Sequence, residues 1–134
     1  MTLRTGTFTS PEDNLPLAEY VWGEDDVSPL RGVVQIAHGL AEHSNRYARL
    51  AEALNAQGYA VAAIDHRGHG RSIADGADGG SPGVPGDFGP SGWGGLVNDL
   101  VAYGAYLQDR HPDVPRFLIG HSMGSFAAQS AILE

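Results

Sequence analysis

Apolar positions along the chain fall into two patterns, short runs and helically spaced stripes. Residues 5–9 and 17–22 lean towards β-branched and aromatic types, and the SPEDNLP between them supplies the Pro, Asp and Asn of a turn. They predict an antiparallel hairpin at a sheet edge. RGVVQIAHG (31–39) and YAVAAIDH (59–66) are short, continuous apolar runs, the pattern of strands covered on both faces. Between them Tyr47, Leu50, Ala51 and Leu54 fall at i, i+3, i+4 and i+7, one stripe of an amphipathic helix over 45–57. Ser44 or Asn45 is placed to cap its start, and Gly58 stands where a left-handed residue ends a helix.

Residues 76–95 interrupt this rhythm with nine Gly and three Pro in twenty positions, the composition of an irregular connector. Helical spacing returns at Trp93, Leu96, Val97, Leu100, Gly104 and Leu107, and HPDVP stops it. Residues 116–119 form a further strand, followed by a helix from Ser122 to Glu134. The order hairpin, β, α, β, α, β, α predicts an α/β fold. Its sheet is mostly parallel, with right-handed crossovers, helices on both faces and an antiparallel N-terminal hairpin. Ligands in such sheets sit beyond the carboxyl ends of the strands. Three segments, HGLAEHS, DHRGHGRS and GHSMGS, each follow such an end and should converge there.

Composition then removes whole classes of function. The 134 residues make one domain at most, with 16 acidic against 8 basic residues and a net charge of −8. All the basic residues are Arg, and no cationic stripe exists to displace counterions, so no nucleic-acid partner is expected. There is no Cys, which excludes disulfides, thiolate nucleophiles and Cys-based zinc sites. His66 and His69 form an H-x-x-H without a third ligand at useful spacing, so no metal is expected. No Walker loop or dinucleotide fingerprint occurs in a strand-to-helix context, so no cofactor is expected either. The N-terminus lacks an apolar signal region and no window approaches 18 consecutive apolar residues. The expectation is a cytoplasmic chain without a transmembrane segment.

GHSMG, residues 120–124, is a G-x-S-x-G between a strand and a helix. A serine there projects from a sharp, strained turn, and Gly120 and Gly124 leave space that β-carbons would fill. His121 adjoins the serine, but its ring should diverge from it on so tight a turn. The Met123 N–H, at the positive end of the new helix, points to where an oxyanion would form. His38-Gly39 ends an earlier strand, and the glycine lets the chain turn so that the Leu40 N–H faces the same oxygen. His38 and His43 flank that loop, and one of them could line the site. The default reading for all six histidines is a loop or turn residue with structural hydrogen bonds, and His111, before a Pro on a surface turn, fits it best.

HGLAEHSNRY, DHRGHGRS and GHSMGS, in this order and spacing, resemble the α/β-hydrolase superfamily in its monoacylglycerol lipase and lysophospholipase-like branch. The resemblance covers roughly residues 5–134. It implies ester hydrolysis through an acyl-enzyme on Ser122, with Leu40 and Met123 as oxyanion donors and a small lipid ester as substrate. His38, Gly39, Gly120, His121 and Gly124 would form the supporting loop and elbow. DHRGHGRS matches a loop that is chiefly structural in that family. Ser at the elbow argues against the dehalogenase and epoxide-hydrolase relatives, which need a carboxylate nucleophile.

In this fold the triad follows the order Ser, acid, His. The residues after Ser122, MGSFAAQSAILE, hold no His and one acid, Glu134. The expectation is therefore an incomplete domain spanning 1–134, short of its base, its later strands and the lid through which any contact with a membrane surface would run. The strand at 116–119 would become an edge, with Phe126, Ala127 and Ile132 still patterned for burial. Such a chain should show negligible esterase activity alone. The alternatives are a non-catalytic interaction module and a hydrolase of another substrate class, such as a peptidase, thioesterase or small-ester esterase.

Overall fold

The structure, a computed structural model, describes residues 2–72, 86 and 88–133. β1 (Leu3–Thr9) and β2 (Pro16–Trp22) form the expected hairpin, in register from Leu3 opposite Trp22 to Thr9 opposite Pro16. With β3 (Gly32–Ala37), β4 (Tyr59–Ile64) and β5 (Arg116–Gly120) they make one sheet in the order β1-β2-β4-β3-β5. β2 runs antiparallel to β4, whereas β3 pairs parallel with β4 on one side and with β5 on the other. The strand succession thus reverses at β3. A crevice at such a reversal, outside the carboxyl ends of the strands, is where open α/β sheets hold their ligands.

The continuous apolar runs sort by pleat onto two faces. Leu17, Val21, Val33, Ala60, Ala62 and Ile64 pack with Tyr103 and Leu107 of α2 (Gly92–Arg110). Tyr20, Trp22, Val34, Ile36, Val61 and Ala63 cluster with Ala51 of α1 (Ala48–Ala56). α3 (Met123–Ala131) lies beside α2, where Ala127 joins Leu96, Leu100 and Ala37. Both faces are covered, which is why these strands read as unbroken apolar runs. Behind DHRGHGRS, the fully buried Arg67 guanidinium is shared between Asp99, Asp13 and Ser10, joining the loop after β4 to α2 and to the hairpin turn. A charge at that depth persists only with such partners.

Several local expectations differ from the structure. Neither Ser44 nor Asn45 caps α1 with its side chain. A short 3-10 turn, Ser44–Tyr47, precedes the helix instead, with the Ser44 N–H bound to the buried Asp65 carboxylate at 2.6 Å and Ser44 Oγ buried without a partner among the described residues. Leu50 is 39% exposed, since α1 meets the sheet through Ala48, Ala51 and Leu54. Gly58 does take the left-handed conformation, at φ 96°. Most of the Gly-rich connector falls outside the described residues, and its last glycines already belong to α2. β5 lies at the sheet edge with Phe117 46% exposed, as expected. Of the residues patterned for burial on α3, Ala127 is buried while Phe126 and Ile132 are exposed, because no described element packs on their side. His111 makes the structural contact expected of a turn histidine: its Nε2 lies 2.8 Å from Glu24 Oε2.

Glu24, just beyond β2, also receives Arg110 through two hydrogen bonds of 2.7 and 2.9 Å. That fork holds its carboxyl near a pKa of about 2, below its ordinary 4.5, against the opposing effect of burial. A depressed carboxylate stabilises the fold above its unfolded pKa and loses that contribution as pH falls. Stability measured by urea unfolding should therefore decline between about pH 4.5 and 2. Glu24→Gln should flatten that decline and cost roughly 1–2 kcal/mol at neutral pH, discounted for the half-exposed Arg110.

Candidate functional site

β5 ends at Gly120 and the chain turns at once into α3 through His121 and Ser122. Ser122 holds φ 55° and ψ −118°, a conformation that L-residues rarely adopt and that costs on the order of 1–3 kcal/mol. Its neighbours make the turn feasible. A β-carbon on Gly124 would collide with the Ala37 carbonyl and come within 2.5 Å of the His38 carbonyl oxygen. One on Gly120 would come within 2.5 Å of the Gly124 carbonyl oxygen. The His121 N–H donates to the Ala37 carbonyl at 3.1 Å, so the elbow is fastened directly to the end of β3. Ser122 is left exposed at the tip.

The turn after β3 comes to the same point. A β-carbon on Gly39 would stand 3.3 Å from the Ser122 Cβ and 3.2 Å from the His121 carbonyl oxygen, so glycine allows this turn to lie against the elbow. The N–H groups of Leu40 and Met123 have no acceptor among the described residues. Two unclaimed donors flank an exposed serine, one at the start of a helix and one on a turn. The leucine side chain itself is exposed. Beside this turn opens a cleft of about 560 Å³, walled by Leu40, Ala41, His43, Gly68 and His69 among others.

Beneath the turn lie three buried histidines. Of the two histidines that flank the turn, His43 walls the cleft and His38 lies beneath it. Its Nε2 accepts the His66 N–H at 2.9 Å, so Nδ1 carries the proton and donates it to the Gly39 carbonyl at 2.7 Å. His66 Nε2 donates in turn to the His38 carbonyl at 3.1 Å, and His69 Nδ1 to the Arg67 carbonyl at 3.1 Å. Burial pushes the His38 imidazole down to about 4 and that of His66 well below its ordinary value. Asp65, also buried, accepts the Ser44 and Arg71 N–H groups and ties the loop after β4 to the segment after the turn. DHRGHGRS is thus a buried scaffold, as its family resemblance implied. No group of three or more His, Asp or Glu is arranged to hold a metal among the described residues.

All eight residues named from the sequence converge on this edge: Ser122, Leu40, Met123, Gly39, Gly120, His121 and Gly124 around the point itself, and His38 directly below. Sequence reasoning missed Glu42. Its carboxylate reaches back to the Gly39 N–H at 2.7 Å and across to His121 Nδ1 at 3.0 Å. The signal was present as spacing, an acid three residues after a turn glycine, the reach by which a capping-box carboxylate finds a backbone N–H. Ser122 Oγ has no hydrogen-bond partner among the described residues, histidine or otherwise.

A strained serine elbow and a Gly turn on adjacent parallel strands, over a sheet of this order, define an α/β-hydrolase. The family model of the serine aminopeptidases, S33, matches residues 28–134, and the chain belongs to that family. It is 41% identical over 104 residues to the monoacylglycerol lipase of Mycolicibacterium smegmatis, covering 78% of this chain and 32% of that protein. It is 36% identical over 98 residues to the monoglyceride lipase of Homo sapiens, covering 73% and 29% respectively. Among solved structures, a carboxyl esterase from Bacillus coagulans superposes with a TM-score of 0.78 at 32% identity. A lipase in its open form superposes with 0.82 at 30% identity. Each covers nearly all of this chain, 98% and 99%, and this chain covers 40% of each. The chain spans about a third of the length of the curated lipases that it matches.

Two measurements check this architecture. Gly124→Ala, whose methyl would meet two backbone carbonyls at the end of β3, should destabilise the fold by about 1–3 kcal/mol in urea unfolding. The buried neutral histidines bind fewer protons folded than unfolded, so their contribution is full above about pH 6.5 and falls as pH drops towards 4. Ring resonances of His38 should accordingly show no titration around pH 6.5, and thermal stability should fall across that window.

Proposed function

We propose that this chain is the nucleophile-bearing part of a serine ester hydrolase acting on monoacylglycerol or lysophospholipid esters. The observation that carries it is the exposed, strained Ser122 flanked by the two unclaimed N–H groups of Leu40 and Met123. In this reading Ser122 Oγ attacks the ester carbonyl carbon while its proton passes to a general base. The carbonyl oxygen takes up the negative charge between the Leu40 and Met123 N–H groups, aided by the positive end of α3. Collapse of the tetrahedral intermediate expels the alcohol, glycerol or a glycerophosphodiester, which receives that proton. Water then adds to the acyl-serine by the same route in reverse and releases the fatty acid.

No described residue stands where the base must stand. In our reading the histidine and its orienting acid come from sequence beyond these 134 residues, in keeping with the third of each lipase relative that the chain spans. Esters are favoured over peptides because the two relatives matched at 41% and 36% identity are lipases and the two superposed structures an esterase and a lipase, although the family is named for an aminopeptidase. The apolar-walled cleft beside Leu40 has room for part of an acyl chain.

In the full-length protein, a fluorophosphonate should label Ser122 and monoacylglycerol should be hydrolysed. Ser122→Ala should abolish labelling and lower turnover by more than about 10³-fold. Preference for an aminoacyl amide over the glycerol ester would reassign the substrate, and turnover surviving in Ser122→Ala would reassign the nucleophile. The isolated 134-residue chain should show no ester turnover above the Ser122→Ala background.

A further inference from the structure

One carboxylate holds the two sides of the candidate oxyanion pocket together. Glu42 Oε2 accepts the Gly39 N–H at 2.7 Å, the Tyr47 O–H at 3.0 Å and His121 Nδ1–H at 3.0 Å, and Oε1 faces Arg46 Nε at 3.3 Å. These donors come from three places: the turn after β3, the 3-10 turn before α1, and the elbow residue that precedes Ser122. Three hydrogen bonds on one oxygen exceed what a solvated surface carboxylate keeps, and they hold the Glu42 carboxyl below its usual range although burial opposes this.

The turn needs such an anchor. It lies beyond the ladder of β3, its Leu40 side chain stands in solvent, and Ala41 takes a left-handed φ of 60°. Peptide planarity shows what the anchor controls. The Gly39 carbonyl and the Leu40 N–H belong to one rigid plane and point in opposite directions. His38 Nδ1–H fixes that carbonyl at 2.7 Å, which aims the Leu40 N–H away from the buried histidines. Glu42 fixes the preceding peptide plane through the Gly39 N–H. With both planes held, the same Glu42 oxygen adds a side-chain tie from this turn to the elbow through His121, beside the His121 N–H bond to the Ala37 carbonyl.

We infer that Glu42 is a positioning residue for ester hydrolysis: its carboxylate locks the Gly39–Leu40 turn to the His121–Ser122 elbow so that the Leu40 and Met123 N–H groups converge on one oxygen. The inference rests on Ser122 being the nucleophile. It assigns Glu42 no contact with substrate and no proton transfer. Its effect is on the geometry of the donors, and so on the transition state in preference to the bound ester.

The test uses the full-length protein with a monoacylglycerol substrate and a boronic acid inhibitor, whose tetrahedral serine adduct places an oxygen in the same pocket. Glu42→Gln should lower kcat by about 10- to 100-fold with KM within about threefold, part of the 10²- to 10³-fold expected for losing one donor outright. Boronate affinity should fall in step with kcat/KM, which a merely loosened fold would not produce. His121→Leu, at an exposed ring, supplies the second variant should Glu42→Gln fail to fold. It should lower kcat in the same direction, and the double variant should be no slower than Glu42→Gln alone. Unchanged kcat in both variants, or losses in kcat that leave boronate affinity untouched, overturns the assignment of Glu42 while leaving Ser122 in place. Full activity in Ser122→Ala overturns the reading of the site and the role of Glu42 with it.

Discussion

The rest of the site depends on how closely the Ser122 elbow approaches the end of β3. β3 and β5 pair in parallel up to Ala37 opposite Gly120, and the His121 N–H extends the ladder by one more bond to the Ala37 carbonyl. At the next step the backbone of Gly124 sits where no side chain fits. This contact of backbone on backbone puts a strained serine, a helix start and a glycine turn within a few ångströms of each other. Strain at Ser122 is tolerable because the surrounding ladder and the packing of Ala127 between α2 and β3 over-determine the turn.

Beneath this contact the fold spends buried polar groups on loops. His38 reads the backbone of two loops at once, Asp65 holds two N–H groups from segments on either side of it, and Arg67 draws together three elements. Each would be costly in isolation, and each is almost fully matched by partners. Around these loops Ser44 Oγ, His66 Nδ1 and His69 Nε2 are buried without a partner among the described residues. An apolar core cannot fix a loop's direction to within the tolerance that oxyanion chemistry demands, whereas directional hydrogen bonds can. That division of labour explains why DHRGHGRS is rich in chemistry-bearing residues and yet contributes none to the exposed serine.

The patterns that proved legible were those generated by local periodicity. β-leaning stretches, continuous apolar runs and 3.6-period spacing located strands β1–β5 and helices α1–α3 to within a few residues, and G-x-S-x-G located the elbow, because those signals arise from short-range geometry. Local pattern and structure part where packing decides. Ser44 was patterned as a helix cap, but its Oγ is buried without a partner among the described residues and a 3-10 turn starts there instead. Leu50 carried the helical spacing, yet the angle at which α1 meets the sheet leaves it at the margin. His111 was read as a turn histidine with a structural hydrogen bond, and only the fold names its partner, Glu24, 87 residues earlier.

By itself the sequence determined the α/β order, the loops that gather at one edge, and the residue types there, since alternating periods and glycine spacing are properties of neighbouring residues. Only the tertiary structure decided that the strands run in the order β1-β2-β4-β3-β5, which sets the Gly39 turn against the Ser122 elbow. It also decided that His38 lies beneath the site and that Glu42 spans it. Which side chain a carboxylate or imidazole meets is set by crossovers that bring together residues about 80 positions apart in the chain, as Glu42 and His121 are. No spacing within a motif carries that information.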